Sequence, residues 1–87
     1  MQHLIDPINP GDMLQDFIEG LDLTAYRVAK DTGMDPTAIY AILKGKRSIT
    51  AETAIRFGQF FDTTPLFWLN LQNNFDLEVA RRKMAMA

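Results

Sequence analysis

The sequence predicts an all-α fold of five helices, and three observations carry that expectation. Apolar residues recur at spacings of three and four along most of the 87 residues, the period of one helix face, and nowhere alternate as strand residues do. Hydroxyl, amide or acid side chains that can cap free backbone amides stand just ahead of these stripes, as in Asp35-Pro36 and Thr64-Pro65. Gly33 and Gly45 fall where two of the stripes stop.

Taken in order, Asn9-Pro10-Gly11-Asp12 forms a turn or cap cluster, and Met13, Leu14, Phe17, Ile18 and Leu21 share one apolar stripe. The first helix is therefore expected from Gly11 to Glu19, closed by Gly20 and Asp22. Thr24 caps the second, whose Val28 and Ala29 face inward, and Gly33 supplies the positive φ that stops it. Asp35 caps the third, with Pro36 in a first position where a missing amide hydrogen costs nothing, and Gly45 ends it. Thr50 caps the fourth, with Glu52 in its positive first turn and Ala54, Phe57, Gly58 and Phe61 on its buried face. The fifth is expected over residues 65–84 and carries Trp68, Leu71, Phe75 and Val79, with Asn73-Asn74 as a candidate break before the basic tail.

Composition narrows the function. With 47% hydrophobic and 23% charged residues, the chain reads as one domain spanning residues 1–87, with no internal repeat and no low-complexity segment. Zero cysteines exclude disulfides and thiolate chemistry, and the start Met1-Gln2-His3-Leu4-Ile5-Asp6-Pro7 lacks the basic cluster and apolar run of a secretion signal, so the expected compartment is the cytoplasm. Even the richest apolar window, Pro65 to Leu71, is broken by Gln72, Asn73 and Asn74, far short of the ~18 residues a membrane span needs. A net charge of -2 argues against a general polyanion binder. Yet five of the nine cations, Arg27, Lys30, Lys44, Lys46 and Arg47, lie between Thr24 and Ser48 against only Asp31 and Asp35.

That locally basic stretch, Thr24 to Arg47, reads as helix, sharp turn and second short helix, with the motif proper at 24–44. Ala29 lets the two helices cross closely, and Ile39 and Ile42 anchor the second. Ala38, Ile39, Ile42 and Leu43 form its apolar face, while Thr37, Tyr40, Ala41 and Lys44 recur on the other. This is the geometry of a helix read into the major groove: Thr37 and Tyr40 meet base edges, Ala41 a thymine methyl, and Lys44 guanine or phosphate. Lys46, Arg47 and Ser48 are expected to hold phosphates, which fixes register without reading sequence. An ordinary helical hairpin with a solvated face leaves the exposed Tyr40 unexplained.

Asn9-Pro10-Gly11-Asp12-Met13-Leu14, the helix-turn-helix, Gly45-Lys46-Arg47-Ser48-Ile49-Thr50 and Phe67-Trp68-Leu69-Asn70-Leu71-Gln72 together resemble the HigA antitoxin family. The resemblance covers nearly the whole chain and implies a five-helix, lambda-repressor-like fold of the Cro/C1 (XRE) helix-turn-helix type. It further implies a homodimer that binds a palindromic operator at its own promoter, with half-sites about 34 to 36 Å apart, and that neutralises a HigB toxin, a RelE-like ribonuclease acting on translated mRNA. By position it places DNA contacts at Thr37, Tyr40, Ala41, Lys44, Lys46, Arg47 and Ser48, and the dimer surface on the C-terminal helices. Two positions depart from the pattern. Ala25 stands where relatives often have Gln, and Pro36 opens the recognition helix where a polar residue often reads bases. These departures keep a second reading in view, a protein-interaction module that sequesters a toxin without reading DNA.

Other groupings carry less. Asp12, Asp16 and Glu19 form one carboxylate stripe, expected as a solvated helix face or as a docking surface for a basic toxin. Leu66, Phe67, Trp68, Leu71 and Phe75 surround the fifth helix on more sides than a small domain can bury, which points to dimerisation through it. Gly45-Lys46-Arg47-Ser48 lacks the spacing of a phosphate loop, with Tyr40 where the earlier Gly belongs and Arg47 where the hydroxyl belongs. His3 has no cysteine or second histidine to share a metal. No nucleophile, metal set or cofactor loop is present in the sequence, so neither an enzyme nor a cofactor is expected.

Overall fold

The computed structural model describes residues 7–86, which leaves His3 outside the described part. Five α-helices follow one another: α1 (Pro10–Gly20), α2 (Ala25–Thr32), α3 (Pro36–Leu43), α4 (Ala51–Phe61) and α5 (Pro65–Met86). Each starts on the side chain that the sequence nominates. Asn9 Oδ1 accepts from the Gly11 amide at 2.8 Å, Thr24 Oγ1 from Arg27 at 3.1 Å, and Asp35 Oδ1 from Thr37 at 2.8 Å. Thr50 Oγ1 accepts from Thr53 at 3.3 Å and Thr64 Oγ1 from Phe67 at 3.2 Å. These bonds satisfy amides that have no partner inside their own helix.

The core gathers one face of every helix: Leu14 and Ile18, Val28 and Ala29, Ile39 and Ile42, Ala54, Phe57 and Phe61, and Trp68, with Ile49 from the loop before α4. Trp68 is completely buried. Its rings lie 5.1 Å from those of Phe17 and Phe57 and 5.2 Å from Phe67, so one indole joins α1, α4 and α5. Its Nε1 donates to Thr63 Oγ1 at 2.8 Å, which satisfies the polar atom that burial would otherwise leave stranded.

Three expectations need correction. Trp68 is not part of a dimer face, because the aromatic cluster within this chain already encloses it. Leu21 does not continue the α1 stripe and is 55% exposed: the helix ends at Gly20, and the chain turns away through Asp22 at φ 56°. The candidate break at Asn73-Asn74 does not occur, and α5 runs through it unbroken. Both asparagines face solvent while Gln72 and Phe75 on either side are packed, and asparagine's modest helix penalty is smaller than what that packing supplies.

Of the glycines, the one with least room for a side chain is at the N-terminus of α1. A Cβ on Gly11 would stand 2.3 Å from the Ile42 carbonyl oxygen and 2.9 Å from that of Leu43, so α1 presses directly on the last turn of α3. No helix among the described residues is long and apolar enough to cross a membrane. The contact gives a direct prediction. Gly11→Ala is expected to lower stability by about 1–3 kcal/mol, as overpacking does, whereas Gly20→Ala, with nothing near its Cβ, is expected to cost nothing or gain up to about 1 kcal/mol. Urea denaturation followed by circular dichroism checks both.

Candidate nucleic-acid interface

The motif is built from the turn outward. Gly33 closes α2 at φ 75°, and the Met34 amide bonds back to the Ala29 carbonyl at 3.0 Å. Thr32 Oγ1 donates to the Val28 carbonyl at 2.6 Å, and the Thr32 carbonyl, whose i+4 residue Pro36 has no amide hydrogen, accepts from Arg56 Nη1 at 2.7 Å. The same guanidinium bonds Glu52 Oε2 at 3.1 Å, so α4 holds the turn from behind. A Cβ on Gly33 would meet Arg56 Nη1 at 3.1 Å, a second reason for glycine there.

From that turn α3 divides as the sequence indicates. Ala38, Ile39 and Ile42 are buried; Thr37, Tyr40 and Lys44 are exposed, and Ala41 between them is half-buried. Tyr40 leaves 47% of its surface open with no ring contact among the described residues. Pro36 and Ala25 both sit at helix starts, where neither brings a polar side-chain group. Beyond α3 the chain reverses through Gly45 at φ 74°, and the Lys46 amide bonds the Ala41 carbonyl at 2.9 Å. Lys46, Arg47 and Ser48 follow, all exposed, on the same loop.

Charge pairing then separates the cations. Arg27 pairs with Asp31 at 2.6 Å, Arg56 with Glu52, and Arg81 and Arg82 with Glu78. Lys44, Lys46 and Arg47 make no ion pair among the described residues. Lys30 on α2 and Lys83 near the end of α5 also make no ion pair among the described residues, but only at the C-terminal end of α3 and on the loop after it do three such cations fall within four positions of the sequence.

The remaining sequence candidates lie elsewhere. Asp12, Asp16 and Glu19 are exposed on α1, with Glu19 accepting from Gln15 Nε2 at 2.8 Å. Leu66 is 63% exposed at the start of α5, while Phe67, Leu71 and Phe75 are half-buried. Two side chains that organise the site escape the sequence reading. Arg56 carries no sign of its bond to Thr32, 24 residues away, because its visible partner is Glu52 one turn back. Gln72 had a usable signal: it lies one turn after Trp68 on the same helix row, and a polar residue there needs a buried partner. That partner is the Ile49 amide, at 2.8 Å. Among the described residues, no three His, Cys, Asp or Glu side chains gather to hold a metal ion.

A capped helix, glycine turn and second helix with an open polar face define a helix-turn-helix protein, and the family model HTH_3, Helix-turn-helix, matches residues 14–69. The chain belongs to that family. Within it, the chain is similar to HigA antitoxins. It is 43% identical to an addiction module antidote protein of the HigA family from Coxiella burnetii, with TM-score 0.91 over 94% of this chain and 90% of that one. It is 33% identical to the Pseudomonas aeruginosa antitoxin HigA solved with the higBA promoter, with TM-score 0.88 over 92% of this chain and 88% of that one. Virulence-associated protein I of Dichelobacter nodosus is 34% identical over 76 residues, 86% of this chain and 70% of that relative. The curated relatives are longer, and the chain spans 64 to 78% of their length.

The cap on α3 sets a further prediction. Asp35→Ala is expected to lower the stability of the domain by about 0.5–2 kcal/mol, whereas Asp35→Asn, which keeps an acceptor at the same place, stays close to the parent. Thermal unfolding at matched pH compares the two.

Proposed function

We propose that the chain is a sequence-specific DNA-binding repressor of the HigA type, which binds a palindromic operator at its own promoter as a homodimer and neutralises a HigB-like, mRNA-cleaving toxin. The observation that carries the DNA reading is the placement of three cations that make no ion pair among the described residues, Lys44, Lys46 and Arg47, beside the exposed face of a helix anchored by Ile39 and Ile42. An acidic protein, with pI about 5.1, binds a polyanion only through such a local concentration. The promoter complex of the Pseudomonas aeruginosa relative supports the same reading.

In this reading α3 enters the major groove. Thr37 and Tyr40 offer hydroxyls to base edges, Ala41 offers a methyl surface to thymine, and Lys44 reaches guanine or phosphate. Lys46, Arg47 and Ser48 grip the backbone and set the register. Pro36 and Ala25 supply no hydrogen bond from their side chains, so readout concentrates on the middle of α3. The homodimer uses the apolar side chains that α5 leaves open, with Leu66 exposed and Phe67, Leu71 and Phe75 half-buried, and without Trp68. The carboxylates of Asp12, Asp16 and Glu19 give a basic ribonuclease a complementary surface that speeds encounter.

The two kinds of contact respond differently to substitution. Lys46→Ala and Arg47→Ala are each expected to weaken binding to operator and to scrambled DNA alike, and to make the salt dependence shallower by about one. Tyr40→Ala is expected to reduce the preference for operator over scrambled DNA while leaving the salt slope near that of the parent. Fluorescence anisotropy against the DNA upstream of the chain's own gene, at several salt concentrations, measures both. Equal effects of all three substitutions on affinity, preference and slope would overturn this division of roles.

A further inference from the structure

Gln72 is polar yet only 7% exposed, and both ends of its carboxamide are used. Its Oε1 accepts from the buried Ile49 amide at 2.8 Å, and its Nε2 donates to Asp76 Oδ1 at 2.9 Å, one turn further along α5. Ile49 directly follows Lys46, Arg47 and Ser48. The loop between α3 and α4 is thus tied at one end by the Lys46 amide on the Ala41 carbonyl and at the other by Ile49 on Gln72. Arg47 and Ser48 stand between the two ties, exposed to solvent. A cleft beside them is lined by Asn9, Gly45, Arg47, Gln72, Phe75 and Asp76, so the Gln72 bridge runs along a wall of this cleft.

We propose that Gln72 is a positioning residue for DNA binding: through the Ile49 amide it fixes the Lys46–Ser48 loop against α5 in the geometry that grips phosphates. The inference rests on the phosphate-binding reading of that loop given above. A flexible loop that carries the same charges still attracts DNA, but engaging both cations at once costs it conformational entropy, so on average one of the two phosphate contacts is given up. A loop already tied at both ends has made that loss on folding. Asp76 has a defined part in the bridge, because its carboxylate orients the carboxamide so that oxygen, rather than nitrogen, faces Ile49. The tie also links the loop to the helix proposed to join two copies, so both half-sites of an operator are presented at a fixed separation.

The test uses charge-matched variants of the full chain and the DNA upstream of its own gene. Gln72→Met keeps the size and net charge but removes both bonds. It is expected to bind about tenfold more weakly than the parent with a salt slope shallower by about one, while its circular dichroism spectrum and oligomeric state stay those of the parent. The double substitution Gln72→Glu with Asp76→Asn exchanges donor and acceptor, keeps an oxygen for Ile49 and leaves the net charge unchanged. It is expected to bind within about twofold of the parent with the parent's slope. Where the methionine variant does not fold, Gln72→Ala is measured in its place with the same expectation. A folded single variant with the parent's affinity and slope overturns the inference, as does a double variant impaired as much as the single one. A parent chain that fails to bind the upstream DNA overturns the proposed function and this inference together, whereas a binding parent with an unaffected variant overturns this inference alone.

Discussion

A helix of eight residues does not hold its shape in water, where isolated helices shorter than about 12–15 residues are marginal, and α3 has only eight. Everything about the site follows from how the rest of the chain compensates. Asp35 and Pro36 start the helix, and Gly45 reverses the chain after it. Ile39 and Ile42 bury one side, and the N-terminus of α1 presses on its last carbonyls through Gly11. Behind these contacts the Trp68 cluster fixes α1, α4 and α5 to one another, so the supports of α3 are themselves rigid. The outward side chains contribute nothing to this arrangement. That independence is what leaves Thr37, Tyr40 and Lys44 available to a ligand.

The same economy governs charge. Most arginines of the chain serve internal purposes: Arg27 and Arg56 meet acids on their own helices, Arg56 also holds the turn, and Arg81 and Arg82 pair with Glu78. Of the five cations without an acid partner among the described residues, Lys44, Lys46 and Arg47 cluster at one end of α3, while Lys30 and Lys83 stand singly. Net charge therefore describes this protein poorly. A local field beside an exposed helix face decides which surface meets a polyanion, while the acidic remainder keeps other surfaces away from it and gives α1 a carboxylate face of its own.

Much of this was legible in the sequence because it depends on local rules. Caps, proline at first helical positions, glycine stops and three-and-four spacing act over a few residues, and they placed the starts of all five helices to within one residue. The two faces of α3 followed from the same period. What the sequence did not show depends on partners far along the chain. Trp68 looked like interface because helix five is apolar on several sides, and only the convergence of Phe17, Phe57 and Phe67 reveals that the core takes it. Leu21 fell out of its stripe because the helix ended one residue earlier. The bonds of Arg56 to Thr32 and of Gln72 to Ile49 span 24 and 23 residues, and although periodicity puts Gln72 on the buried row of Trp68, it names neither partner.

The central claim is that the outward face of α3 and the loop after it form the DNA-binding surface, with α1 and the exposed side of α5 left for proteins. The most direct measurement maps backbone amide chemical shifts of the isotope-labelled chain on titration with its own upstream DNA. The account predicts the largest changes at Thr37, Tyr40, Ala41, Lys44 and the Lys46–Ser48 loop, with the amides of Asp12, Asp16 and Glu19 nearly still. Changes concentrated on α1, or none at low salt, would contradict it.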